Sequence, residues 1–273
     1  MCLPGTVEAV REQQPQLTRR GVLAGGGAAA MAALMPGEAL AHKRRPRRRG
    51  RVVDLTHTFT AGFPVYVGAV PTRRTISNYT PDGFYAQEWT FGEHSGTHMD
   101  APGHFVEGGR LTPQLRAREL MLPIVVIDIS RRADDDPDAV VTVDDLRRFE
   151  RRHGRIPRNA LVAMNSGWDD KLGTPEFTGG PPGSYHFPGF GEEAIDFMIR
   201  RNRGAAIAVD TLSLDPGDST TFPVHNTWLA DDKYGLENVK NLGKLPPHGA
   251  TAIVGVIPWE QGSGGPARVL ATY

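Results

Sequence analysis

The sequence predicts an α/β fold, and three observations carry that reading. Short runs rich in valine and isoleucine recur through residues 52–273, turn residues bound most of them, and two amphipathic segments fall between them. A chain of 273 residues that is 39% hydrophobic and 23% charged has an ordinary globular composition, which argues against wholesale disorder. No internal repeat and no second domain boundary is visible.

Taken in order, V52-V-D-L-T-H57 and W89-T-F91 read as the first strands, followed by I124-V-V-I-D-I129. T142-V-D-D-L-R-R-F-E-R-R152 reads as a helix: Thr142 caps it, and Val143, Leu146 and Phe149 share one face. A160-L-V-A-M164 is the next strand. E192-E-A-I-D-F-M-I-R-R201 is a second helix, acidic at its start and basic at its end, as the helix dipole favours. A205-A-I-A-V209 and T251-A-I-V-G-V-I257 complete the strands. G179-G-P-P-G-S-Y-H-F-P-G-F190 is a long Gly/Pro loop of a kind that covers sites.

The N-terminus predicts an export signal. L17-T-R-R-G-V-L23 resembles a twin-arginine motif, an apolar run of about 15 residues follows, and A39-L-A41 offers a cleavage site. The run is short of the ~20 residues needed to span a bilayer. The expectation is a signal peptide over residues 1–41 and a periplasmic or secreted mature chain with no stable membrane insertion. The only cysteine, Cys2, precedes the cleavage, so that mature chain would carry no disulfide.

Residues 42–51 hold seven basic side chains and no acid, which reads as a solvated linker. Residues 52–273 carry 21 basic against 28 acidic side chains, a poor match for nucleic acid.

The densest chemistry is H94-S-G-T-H98-M-D100-A-P-G-H104. A helix would join His94 to His98 but turn Asp100 roughly 240° away from His94, and Gly96, Pro102 and Gly103 oppose a helix. A straight strand would hold the α-carbons of 94 and 98 about 13 Å apart, too far for both imidazoles to reach one ion at ~2.1 Å. The chain must fold back, Gly96 permits it, and the site is expected on a loop. Two imidazoles and a carboxylate suit Zn²⁺ or Mn²⁺, and His104 reads either as a fourth ligand or as a general base.

This segment resembles the H-x-G-T-H-x-D-x-P-x-H motif of the cyclase family, which includes bacterial kynurenine formamidase and isatin hydrolase. D210-T-L-S-L-D215-P, F222-P-V-H225 and Y234-G-L-E237-N resemble later blocks of that family, so the likeness spans roughly residues 51–272. It implies a single domain over residues 52–273 with a mixed central sheet or barrel-like β core flanked by helices, of the swivelling β/β/α type. It implies that His94, His98 and Asp100 bind a first metal. It implies that, where a second ion is present, Asp100 bridges, His225 joins the second ion and Glu237 contacts both, and that His104 is the catalytic acid/base. The implied reaction is hydrolysis of a C–N bond in an aryl amide or cyclic amide by metal-activated water, in a homodimer or larger assembly.

Isatin-like ring opening is the first expectation, and formylkynurenine-type deformylation and lactone hydrolysis are alternatives. A non-catalytic exported module that captures metal or ligand is the rival from another class. Formamidases carry a tryptophan in a P-V-W-P-G-like segment, where this chain has F63-P-V-Y-V-G68, so Tyr66 takes its place. Tyr66, Phe63 and His186 are the candidate substrate-binding residues, with Phe187 and Phe190 as further aromatic walls or as plain packing. Ser166 lacks the G-x-S-x-G elbow and reads as a turn residue, and G262-S-G-G265 reads as a close-packed turn.

Overall fold

The computed structural model describes residues 50–273, so the expected signal peptide and most of the basic linker lie outside the described residues. Strand β1 (Val52–Asp54) comes first. β2 (Thr72–Ser77) and β3 (Ala86–Thr90) pair as a separate two-stranded sheet. Most of that hairpin, Arg73–Trp89, belongs to a compact unit of its own. Arg74 and Glu88 pair across it at 2.7 Å.

The larger unit is built on β4 (His98–Asp100), β5 (Met121–Asp128), β7 (Leu161–Asn165), β9 (Ala206–Val209), β10 (Tyr234–Glu237), β11 (Ala250–Val256) and β12 (Gly264–Thr272). β6 (Val140–Val141) and β8 (Gly189–Phe190) make a small parallel pair at one side. The main order is β1-β12-β11-β5-β7-β9-β10-β4, and β4 also pairs with β12. Seven strands therefore close into a mixed barrel with β1 attached outside the ring. The barrel-like core expected from the sequence is present.

Alternation along the strands separates two cores. Leu122, Ile124 and Val126 of β5, Leu161 and Ala163 of β7, and Ala206 and Ala208 of β9 face the barrel interior. The residues between them, including Val125, Val162 and Ile207, face outward onto helices. Period-two alternation dictates this split. Alanine supplies much of the interior, as a seven-stranded ring leaves little room.

The parallel strands β5, β7, β9 and β10 need crossovers, and the helices provide them. α1 (Ser130–Asp135) and α2 (Val143–His153) lie between β5 and β7, α3 (Glu192–Arg200) between β7 and β9, and α4 (Pro223–Ala230) between β9 and β10. Thr142 caps α2 as expected, accepting from Asp145 N, while the Asp145 carboxylate accepts from Thr142 N at 2.9 Å. This reciprocal box satisfies two amide groups that the first turn leaves unpaired. Among the described residues, no helix is long and apolar enough to cross a membrane.

Two expectations need correction. The histidine segment is not all loop: the chain folds back at Gly96, with φ +67, but His98–Asp100 is a barrel strand. β4, β10 and β12 were also missing from the predicted strands, because their sequences mix polar, glycine and proline residues into the pattern.

A candidate metal centre on the outer face of the barrel

On β4, Met99 points into the barrel core, so His98 and Asp100 take the outward face. On β10, Leu236 points inward and Glu237 outward. The β4–β10 register sets Glu237 opposite His98. His98 Nε2 lies 3.3 Å from Glu237 Oε2 and 3.4 Å from Asp100 Oδ1.

The reversal at Gly96 fits only glycine. A β-carbon there would sit 2.6 Å from the Phe59 ring at a backbone angle that side chains avoid. The carbonyl of Gly96 then accepts from His98 Nδ1 at 2.9 Å and from Asn238 Nδ2 at 3.1 Å. With Nδ1–H committed, Nε2 is the nitrogen turned toward the carboxylates, and its lone pair is the one that an ion would take in place of a proton.

His225 arrives from α4. Phe222 precedes this helix in a left-handed conformation, φ 50 and ψ 50, which is strained for a bulky side chain. Pro223 opens the helix, and the buried Asp215 carboxylate caps it from outside, accepting from Val224 N at 2.8 Å and His225 N at 3.1 Å. Asp215 also lies 2.6 Å from His225 Nδ1. That contact leaves His225 Nε2 facing Glu237 Oε1 at 3.2 Å and Asp100 Oδ2 at 3.6 Å. Sequence reading noted the D210–D215 block without assigning Asp215 a role. A carboxylate behind a ligating imidazole is its physical signature.

His94 lies on the loop before Gly96, with Nδ1 2.6 Å from Asp100 Oδ1. His104 sits on a 3₁₀ turn, Pro102–His104, and its ring stacks on that of His94 at 3.7 Å. Two overlapping groups of metal-competent atoms result, His94–Asp100–His104 and His98–Asp100–Glu237, both sharing Asp100.

Electrostatics show what the cluster lacks. Burial disfavours a charged His98, yet Asp100 and Glu237 outweigh it and push the imidazole up to about 10. His225 is raised too, its burial overcome by Asp100, Asp215 and Glu237. Asp100 is held well below the usual carboxylate range by the histidines around it, against its burial. His98 Nε2 and Asp100 Oδ2 are buried without a hydrogen-bond partner. Buried polar atoms without partners and a demand for positive charge at one point fit a divalent cation at the His98–Asp100–Glu237 group, with His94 and His225 beside it. His104 differs. Burial pushes it down to about 4, so it is neutral at pH 7 and competent to take a proton.

The cluster floors a cavity of about 690 Å³. Tyr66, Val70, Phe91, Phe105, Leu212 and Phe222 supply apolar wall, and no lysine or arginine is among its described lining residues. Tyr66 contacts Phe222 edge-on at 5.5 Å, and Phe105 stacks on His225 at 4.6 Å.

Of the candidate substrate-binding residues, only Tyr66 lines this cavity. Phe63 is 1% exposed and packs near His57. His186 is drawn to Asp138 at 2.8 Å and borders a separate cavity beside Trp168. Phe187 and Phe190 are buried packing, Phe187 behind Tyr66. Ser166 donates to Asp210 at 2.5 Å in a turn after β7, away from the cluster, as its sequence context predicts. Phe105 and Phe222 were missed, although Phe105 adjoins His104 and Phe222 stands three residues before His225.

The Cyclase family model matches residues 53–216. Isatin hydrolase of Roseibium aggregatum is 35% identical over 207 residues, covering 72% of this chain and 78% of that protein. Kynurenine formamidase of Geobacillus thermodenitrificans is 26% identical over 176 residues, covering 64% and 75%. The solved structure of isatin hydrolase A from Labrenzia aggregata bound to benzyl benzoate superimposes with a TM-score of 0.78 at 32% identity. That match covers 82% of this chain and 93% of the other.

Proposed function

The chain belongs to the Cyclase family, and on that footing we propose that it is a metal-dependent hydrolase of non-peptide C–N bonds that opens a cyclic aryl amide of the isatin type. One observation carries the reading: buried donor atoms without partners converge on Asp100 at the floor of an apolar, aromatic cavity. A divalent ion in that position supplies Lewis acidity, lowering the pKa of water toward neutrality and polarising a carbonyl.

The chain's own groups do the rest. Tyr66 and Phe222, in edge contact, form one aromatic corner of the wall against which a flat aromatic ring packs with its carbonyl toward the cluster. Neutral His104 accepts a proton as water adds to the carbonyl carbon. It returns the proton to the ring nitrogen as the C–N bond breaks, giving a free aryl amine and a carboxylic acid that loses its remaining proton to solvent. Asp215 and Gly96 hold the His225 and His98 rings in fixed tautomers. No serine or cysteine nucleophile is required.

The same proton path would serve a deformylation or a lactone opening. The lining favours the cyclic amide over formylkynurenine. An α-carboxylate would find no lysine or arginine among the described lining residues, whereas a neutral ring needs none. The non-catalytic alternative has no use for a neutral histidine stacked beside the donors. The native ion is proposed as Zn²⁺ or Mn²⁺, one or two per chain, and the assembly as a homodimer or larger. Export by the twin-arginine signal of residues 1–41 is likewise a proposal.

The test loads metal-free protein separately with Zn²⁺ and Mn²⁺ and follows isatin and N-formylkynurenine by absorbance, with a chelated control. Turnover of isatin that chelation abolishes supports the proposal. Turnover of N-formylkynurenine alone would move the assignment to deformylation. Metal binding without turnover of either would overturn the isatin-type reading.

A further inference from the structure

Three of the imidazoles near Asp100 have a partner behind them: Gly96 O for His98, Asp215 for His225, and Ser263 for His94. Ser263 belongs to the G262-S-G-G265 segment, which reads in the sequence as a close-packed turn. Its geometry is more specific. Ser263 Oγ donates to Glu93 Oε2 at 2.7 Å, and Ser263 N donates to the same oxygen at 3.0 Å. The hydroxyl has one proton and spends it on Glu93, so toward His94 Nε2, 3.0 Å away, it acts as acceptor. An ion that comes between His94 Nδ1 and Asp100 Oδ1, now 2.6 Å apart, displaces any proton there and leaves Nε2 as the nitrogen that carries the proton, with Ser263 Oγ placed to accept from it.

The backbone of this segment is tied to the ligand strand and its flank. Ser263 O accepts from Ala101 N at 2.9 Å, Gly262 O accepts from Thr112 N at 2.9 Å, and Gly264 pairs with Asp100 in the β12–β4 register. Gly264 cannot be larger. A β-carbon there would stand 2.5 Å from His94 Cε1 and collide with the Met99 carbonyl. The turn thus leaves room for the His94 ring against Gly264 while the hydroxyl beside it is placed to accept from the ring N–H.

We infer that Glu93 and Ser263 form a positioning relay that sets the tautomer and orientation of His94 for metal capture. The inference rests on the metal reading of the site and adds two residues that do not themselves touch the ion. Losing such a partner typically weakens metal affinity about 10–100-fold. Through the His94–His104 stack, the relay also steadies the ring proposed to move the proton.

The test uses the full chain as wild type, Ser263→Ala, Ser263→Thr and Glu93→Gln, stripped of metal. Each is titrated with Mn²⁺ against a chelating indicator and with Co²⁺ by its visible spectrum. Ser263→Ala is expected to raise the Mn²⁺ dissociation constant by about 10–100-fold and alter the Co²⁺ spectrum. Ser263→Thr, which keeps the hydroxyl, should restore both, and Glu93→Gln should fall between. Unchanged affinity and an unchanged spectrum in Ser263→Ala overturn the relay. If Ser263→Ala does not fold, Glu93→Gln decides by the same two readouts. Wild type that binds neither ion sinks the metal reading itself, an outcome distinct from failure of the relay.

Discussion

His98 and Glu237 are cross-strand partners whose side chains meet on the outer face of a closed barrel, 3.3 Å apart, with the core on the other side of the same strands. The pairing holds an acid and a base in register through backbone hydrogen bonds. The donors are therefore held in place before any ion arrives, and the following outcomes depend on that.

His104→Ala is expected to retain metal and lose at least ~10²-fold in kcat, because the ring moves a proton and the donors converge on Asp100 without it. Steady-state kinetics alongside elemental analysis checks both halves. Loss of metal in this variant would make His104 a ligand, a role that its proximity to His94 and Asp100 also permits.

Chelation should lower the melting temperature as well as abolish turnover. An ion that binds only the folded chain stabilises it by about 2.7 kcal/mol at a hundred times its dissociation constant. Differential scanning calorimetry across a Mn²⁺ series should show the midpoint climbing with the logarithm of free metal. A midpoint indifferent to metal would contradict binding at the buried cluster.

Tyr66→Phe should behave nearly as wild type, whereas Tyr66→Ala should raise KM for an aryl substrate by about tenfold, since an aromatic edge contact is worth about 0.5–1.5 kcal/mol beyond the area it buries. The effect should shrink for a small non-aromatic cyclic amide. Equal losses on both substrates would mean that Tyr66 serves the fold and not the ligand.

Acid should destabilise the protein partly through His57. Burial, aided by Lys240, pushes its pKa down to about 4 from an ordinary 6.5. Between those values the unfolded chain binds a proton that the folded chain refuses, so stability falls as pH drops from 6.5 through 4. Urea midpoints at pH 7.5 and pH 5 should differ less in His57→Gln than in wild type. An identical difference would exonerate His57.

Much of the fold is legible in the sequence because β5, β7 and β9 are buried on both faces or nearly so and read as continuous apolar runs, and β11, buried on one face and half-buried on the other, is still largely apolar. β4 and β10 escape that reading because one face of each carries the donors, and β12 escapes it by opening on Gly-Gly-Pro. The site divides in the same way. The residues of 94–104 are close in sequence, so their spacing alone exposes them. Glu93 with Ser263, and His225 with Asp215, are joined by register and by a helix entry that no local spacing encodes. The segment 63–66 is irregular, so nothing in its pattern tells which side chain faces inward. Phe63 turned to the core and Tyr66 to the cavity.

The cavity wall and the donor cluster are carried by different kinds of backbone. Asp100, His98 and Glu237 sit on strands hydrogen-bonded along both edges, since β4 is paired with β10 and β12 at once. Tyr66 to Val70 and Phe222 lie outside those strands. Variation at residues 66–70 can therefore accumulate without disturbing the donors, so substrate preference is free to drift among descendants of this chain while the reaction is inherited intact. A library confined to that segment would explore new substrates from a catalyst that stays assembled.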